Sequence, residues 1–214
     1  MRITKYGHCC MLVEERGVRI LTDPGSWTRE EHESLRDMHI VLFTHEHADH
    51  YHLESLTKIL ANNPIAKVVC NPRVGALLDE AHIPHTVVGD GAIFTEKELS
   101  IEGHGSDHAP IHASIPLPKN TGYFIGERFW YPGDALHDPK RAMDILALPV
   151  AGPWLLLSSA IDYALAQKPK IAFPVHDMLL SSIGLSIHHR VTAGALESSG
   201  IRWAPLTLGQ AYDF

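Results

Sequence analysis

Apolar and polar residues alternate over residues 2–6, 10–14 and 18–22, the period of half-buried strands, and Glu15-Arg16-Gly17 turns the second into the third as a hairpin. Asp23-Pro24-Gly25 interrupts this opening meander, and the polar stretch through Asp37, with Trp27 in it, reads as a surface loop or short helix. Residues 39–43 form a buried strand that delivers Thr44 and a run of histidines to its C-terminal end. Beyond it, residues 53–61 carry an amphipathic helical pattern, 67–70 a strand, and 72–81 a helix with Pro72 in its first turn. Further short strands are expected at 86–88, 98–102, 122–125, 129–131 and 145–149. Ser158 and Ser159 are candidate caps for a helix running to Gln167 and stopped by Pro169; a strand at 171–173 and a last helix at 189–198, ended by Gly200, complete the pattern.

No Gly-, Ser- or Pro-rich linker divides the 214 residues, so the expectation is one domain over 1–214 whose halves share a core. Strands in both halves with helices between them fit two sheets stacked face to face with helices outside, or an ordinary doubly wound sheet. A formal charge of −7 gives no basic surface for a phosphate backbone, which disfavours nucleic acid as a partner. The first residues lack a hydrophobic signal core, and no apolar stretch approaches the length of a membrane span, so a cytoplasmic protein is expected. Cys9, Cys10 and Cys70 read as buried free thiols rather than a disulfide framework. A small-molecule substrate suits this chain, and a homo-oligomer is compatible with it.

The abnormal feature is 16 histidines. In Thr44-His45-Glu46-His47-Ala48-Asp49-His50, positions 45, 47 and 49 share one face of an extended segment, and His50 follows at a turn into the next helix. Imidazole nitrogen and carboxylate oxygen at this density suit zinc, manganese or iron, with zinc the default. The alternative, a merely solvated polar loop, explains this ligand chemistry poorly.

This run resembles the His-x-His-x-Asp-His signature of the metallo-β-lactamase superfamily. His104-Gly105-Ser106, Gly133-Asp134-Ala135 and Pro174-Val175-His176 resemble the later ligand segments of that family in chain order. Tyr6-Gly7-His8 with Thr22-Asp23-Pro24 is further similar to the branch of small ascorbate-6-phosphate lactonase-like hydrolases. The resemblance implies an αββα four-layer sandwich of α/β (α+β) class. It also implies a binuclear site: one metal on His45, His47 and His104, a second on Asp49, His50 and His176, and Asp134 bridging. A hydroxide shared between the metals would attack a small-molecule ester, lactone or phosphodiester, with Asp49, Asp134 and His8 as the catalytic residues. Asp23 is expected either to accept the free ring N–H of a ligating histidine or simply to start a turn. His108 and His112, close to His104, could replace it as a ligand or donate a proton to the leaving group. His137 and Asp177 adjoin proposed ligands, and Trp27 and Trp154 could wall an apolar pocket.

Three other readings compete. A nuclease or phosphodiesterase acting on nucleic-acid fragments is disfavoured by the acidic charge and by the lack of an insertion able to clamp a strand. A diiron oxidoreductase is disfavoured because the resemblance to such members would require a carboxylate where His47 stands. A non-catalytic metal-binding protein would be expected to have lost ligands, and all seven candidates are present.

Overall fold

The computed structural model describes residues 1–214. Strands β1 (Arg2–Gly7), β2 (Cys10–Glu15) and β3 (Val18–Thr22) form the antiparallel meander read from their alternation. After a short helix α1 (Arg29–His32), the chain returns as β4 (Ile40–Phe43), α2 (Leu53–Asn62), β5 (Lys67–Cys70), α3 (Pro72–Glu80) and β6 (Thr86–Val87). Strands β3 to β6 run parallel, which is why helices fill the connections between β4, β5 and β6. The second half contributes β7 (Ile93–Glu96), β8 (Leu99–His104), β9 (Gly122–Ile125), β10 (Phe129–Tyr131), β11 (Ile145–Pro149), α4 (Leu157–Gln167), β12 (Ile171–Val175), α5 (Ser182–Glu197) and β13 (Arg202–Trp203). Strand β14 (Ala211–Asp213) crosses back to pair with β1.

The result is two seven-stranded sheets, ordered β14-β1-β2-β3-β4-β5-β6 and β13-β12-β11-β10-β9-β8-β7. Three apolar clusters show how they stack. The largest holds 20 buried residues drawn from the inward faces of both sheets, among them Ile3, Met11, Ile40, Tyr123, Phe129 and Phe173. A second lies between the second sheet and α4 and α5, built on Phe124, Trp130 and Leu196. A third lies between the first sheet and α2 and α3, built on Phe43, Leu56 and Leu78. Three interfaces make four layers, the αββα sandwich, because each sheet is apolar on both faces and needs cover on both. No helix is long and apolar enough to cross a membrane.

Several local expectations shift. Helix α4 begins at Leu157 with Leu156 as an N-cap that supplies no side-chain bond, so Ser158 and Ser159 lie inside the helix rather than capping it. It ends on Lys168 in the left-handed region (φ 51°), one residue before Pro169. Helix α5 begins at Ser182, well before residue 189, because the Ser181 hydroxyl caps the Gly184 N–H at 3.2 Å. Strands β7, β13 and β14 were not legible as elements: β13 and β14 are two and three residues long, and β7, although it pairs with the adjoining β8, buries no residue fully.

Phe129 and Phe173 stack across neighbouring parts of the second sheet with ring centroids 6.0 Å apart, both fully buried. Phe173→Ala should lower the unfolding free energy by about 3–5 kcal/mol, the usual cost of deleting a buried aromatic ring. Denaturant unfolding followed by circular dichroism checks this; a loss below about 1 kcal/mol would mean that the inter-sheet core is not tightly packed there.

Candidate metal centre

The site lies where β1, β3, β4, β10 and β12 end, and it is assembled around two carboxylates. Asp23, directly after β3, is sealed from solvent and has a left-handed backbone (φ 38°). Its Oδ1 accepts the Thr44 N–H at 2.8 Å, and its Oδ2 accepts the Thr44 hydroxyl at 2.6 Å and the His50 Nδ1–H at 2.7 Å. Tyr131, from the second sheet, donates its hydroxyl to the same oxygen. Because the Thr44 hydroxyl gives its proton to Asp23, it is an acceptor toward His45 Nδ1 at 3.0 Å. Both rings are thereby turned so that Nε2 faces the cleft. This is the helper role open to Asp23 in the sequence, and the turn role holds as well.

Two glycines allow these loops to meet. A Cβ on Gly25 would lie 1.9 Å from the Asp49 carbonyl oxygen and 2.6 Å from the His50 nitrogen, so only glycine lets the segment after β3 lie against the histidine loop. Gly133 has φ 64°, and a Cβ there would strike Asn120 Oδ1 at 2.3 Å. That same oxygen accepts the Asp134 N–H at 3.0 Å, fixing the second carboxylate.

Asp134 is the hub. Its Oδ2 lies 2.9 Å from His176 Nε2, 3.3 Å from His108 Nε2 and 3.8 Å from His45 Nε2, while Oδ1 lies 3.1 Å from His50 Nε2. Trp154 donates its indole N–H to Oδ2 at 3.1 Å. On one side of this hub the ligand atoms of His45, His47 and His108 converge with Asp134; on the other those of His8, Asp49, His50 and His176 converge, each set lying within 4.8 Å of one another.

Whether such groups suit a cation can be judged from their partners. His50 Nε2, His108 Nε2, His176 Nε2 and Asp134 Oδ1 are buried with no hydrogen-bond partner. Buried polar atoms are seldom left so, and several unpaired imidazole nitrogens aimed at one carboxylate are the donor set of a divalent transition metal. Cys9 approaches His50 and Asp134, but burial holds its thiol protonated, which makes it a poor donor.

The electrostatics fit the same picture. Burial opposes charge on His50, yet Asp134 and Asp23 outweigh it and raise its pKa well above the ordinary histidine value. Burial likewise works against ionised Asp134, and the charges of His50 and His176 override it, holding the carboxyl well below its usual range. Asp49 is brought down to about 2: burial is outweighed by the hydrogen bond from His8 and the charge of His50. Burial lowers His8 to about 4, so near neutral pH it is an uncharged ring that donates Nε2–H to Asp49 Oδ2 at 3.0 Å. His45 is pushed down by burial and then by His50, which leaves it neutral.

Of the seven ligands implied by the resemblance, His45, His47, Asp49, His50, Asp134 and His176 are brought together, and His104 is not. Strand β8 alternates strictly: Leu99, Ile101 and Gly103 are buried, whereas Ser100, Glu102 and His104 share the opposite face. His104 therefore points toward Trp130 (centroids 5.6 Å apart) and Glu102 (3.7 Å). His108, four residues on, takes the position by the hub, with Nδ1 donating to the Ala109 carbonyl at 2.6 Å and Nε2 facing inward. His112 stays exposed and bonds Ser114, and His137 donates to the Asp107 carbonyl at 2.7 Å. Asp177 pairs with the buried Lys5 at 2.6 Å. His8 joins the second group directly. Trp27 and Trp154 do line the cleft, as their loop positions suggested.

A family model, Beta-lactamase superfamily domain, matches residues 2–176. Protein Rv0786c of Mycobacterium tuberculosis is 34% identical over 194 residues, covering 88% of this chain and 90% of that one. A UPF0173 metal-dependent hydrolase of Aeropyrum pernix is 32% identical over 207 residues, covering 82% of this chain and 81% of its own. Among solved structures, Igni18, a metallo hydrolase of the archaeon Ignicoccus hospitalis, superposes with a TM-score of 0.77 at 17% identity, over 100% of this chain and 98% of the other.

A proton held on His50 must leave before Nε2 can bind a metal, so metal affinity should rise with pH through the neutral range and binding should release protons. Calorimetric titration of the metal-free protein with Zn²⁺, in buffers of different ionisation enthalpy, should show proton release and an affinity at least about tenfold higher at pH ~8 than at pH ~6. A pH-independent affinity without proton release would contradict this arrangement of charge.

Proposed function

Given that the chain belongs to the metallo-β-lactamase superfamily and is a metal-dependent hydrolase like its relatives, we propose that it hydrolyses a small-molecule ester, lactone or phosphodiester at the paired donor groups. His45, His47 and His108 would hold one divalent cation, Asp49, His50 and His176 a second, with Asp134 shared between them and His8 beside Asp49. Zinc is the proposed ion, since three imidazoles with a carboxylate suit it well; manganese and iron suit the same donors. The observation that carries the reading is the convergence of unpartnered, buried imidazole nitrogens on Asp134. Divalent cations, when bound, lower the pKa of water and polarise a carbonyl or phosphoryl oxygen.

The chain's own residues do the rest. Asp23 and Thr44 fix the tautomers of His50 and His45, so that both rings offer Nε2 without reorganising. His8 keeps its proton on Nε2 and steadies Asp49 through it. Trp154 holds Asp134 Oδ2 from the cleft side. A cleft of about 260 Å³ opens over Asp49, Asp134, His47, His108 and His176, and this small volume suits a small molecule rather than a polymer. Three free, buried cysteines fit a reducing compartment such as the cytoplasm.

Paired substitutions test the assignment. His108→Ala should lower metal affinity by about 10–100-fold and hydrolytic kcat/KM at least as much, whereas His104→Ala should change either by less than about threefold. Metal content by mass spectrometry, with turnover of 4-nitrophenyl acetate and bis(4-nitrophenyl) phosphate, reads both effects. The ligand assignment fails if His104→Ala strips the metal and His108→Ala does not.

A further inference from the structure

Of the ten residues that line the cleft, Asp49, Asp134, His47, His108 and His176 belong to the donor groups. The other five are Trp27, Ile111, Pro153, Trp154 and Leu179, and none of them carries a charge. Two of these carry an indole N–H: that of Trp154 is engaged with Asp134 at 3.1 Å, and that of Trp27 is uncharged. Its ring stands edge-on to His108 and His176, at centroid distances of 5.7 and 5.8 Å, so an apolar wall begins directly beside the reacting centre. Trp27 leans on His8 at 4.6 Å from the opposite side and is 42% exposed, leaving indole surface uncovered.

Cationic side chains do not compensate. Lys5 is buried behind the site, with its ammonium on the Pro174 carbonyl at 2.9 Å and on Asp177 at 2.6 Å. Lys119 is paired with Asp107 at 2.6 Å, and Arg73 lies 4.0 Å from Glu46. Positive charge would reside at the two donor groups alone, and beyond them a substrate meets only aromatic and aliphatic surface. An anionic group placed there loses its water without gaining a cationic partner, which is costly; an alkyl or aryl group placed there gains burial.

We propose that this cleft selects small esters and lactones whose part beyond the reacting group is uncharged and apolar, and that it discriminates against substrates bearing a further anionic group. The inference rests on the hydrolase reading of the same site. In the step it specifies, the hydroxyl of water adds to the ester or lactone carbonyl carbon and the acyl–oxygen bond breaks. The alkoxide that leaves takes up the other proton of that water, giving a carboxylic acid and an alcohol. Leu179 and Trp27 are specificity-determining residues, since both line the cleft and leave apolar surface exposed.

Two esters that differ only in their tail test this on the metal-loaded protein: 4-nitrophenyl butyrate, and mono-4-nitrophenyl glutarate, which ends in a carboxylate. kcat/KM for the butyrate should exceed that for the glutarate by about tenfold or more, and bis(4-nitrophenyl) phosphate serves as a third substrate for the hydrolase reading itself. Leu179→Lys, at a position 49% exposed and therefore tolerant of lysine, should narrow the gap between the two esters by at least about threefold. Equal or faster turnover of the glutarate by the unsubstituted protein overturns the proposal, as does an unchanged gap in Leu179→Lys. Tryptophan fluorescence supplies a readout apart from turnover: 4-phenyl-2-butanone should quench at lower concentration than its para-carboxylate. If the loaded protein turns over none of the three substrates, the hydrolase reading falls, and the order of quenching by the two ketones still decides the selectivity of the cleft.

Discussion

Everything at the mouth of this sandwich depends on one buried carboxylate. Asp23 has no exposure, and a sealed carboxylate is stable only when its oxygens are met by donors. Its donors come from three places: the Thr44 backbone and hydroxyl at the end of β4, the His50 ring in the loop that follows, and the Tyr131 hydroxyl from the other sheet. That constraint ties the sheets together at the point where the metal-binding loop leaves them. It also dictates which nitrogen His45 and His50 present, so the geometry of the centre is decided a step away from it.

Asp134 makes the complementary contribution. It arrives on the turn after β10, held by Asn120 and by a glycine that alone fits the turn, and it reaches rings supplied by both sheets. Each of the two donor groups therefore draws on both halves of the chain, and neither half could build the centre alone. His45 to His50 come from the first half, and His108, Asp134 and His176 from the second. Strain accompanies this: His8, Asp23 and His176 all have left-handed backbones, at φ 45°, 38° and 57°, where strands end abruptly at the site.

How much of this could be read beforehand follows from the range of each interaction. The meander, the parallel strands and the amphipathic helices announce themselves through local periodicity, and the run from His45 to His50 through ligand density. Asp23 was legible as a candidate because Asp-Pro-Gly follows a strand, although its four donors are not visible in the chain. The choice between His104 and His108 turned on a signal that was present. In Leu99-Ser100-Ile101-Glu102-Gly103-His104 the histidine shares a face with Glu102, opposite the Leu99 and Ile101 of the inter-sheet core, and the imidazole that faces Asp134 comes from the loop beyond. Strand β14 was illegible for a different reason: its partner β1 lies at the other end of the chain, and a three-residue strand carries too little pattern to reveal a non-local pairing. Helix α5 was foreshortened because Ile183 and Ile187, on its exposed side, break the amphipathic pattern that marks a helix start.

In the proposed centre two cations would share Asp134, with His108 rather than His104 completing one of the sets. Anomalous diffraction from crystals of the protein grown with Zn²⁺, collected at the zinc edge, measures this most directly. Two peaks flanking Asp134 are expected, one bounded by His45, His47 and His108 and the other by Asp49, His50 and His176. Density at His104, or none beside Asp134, would contradict it.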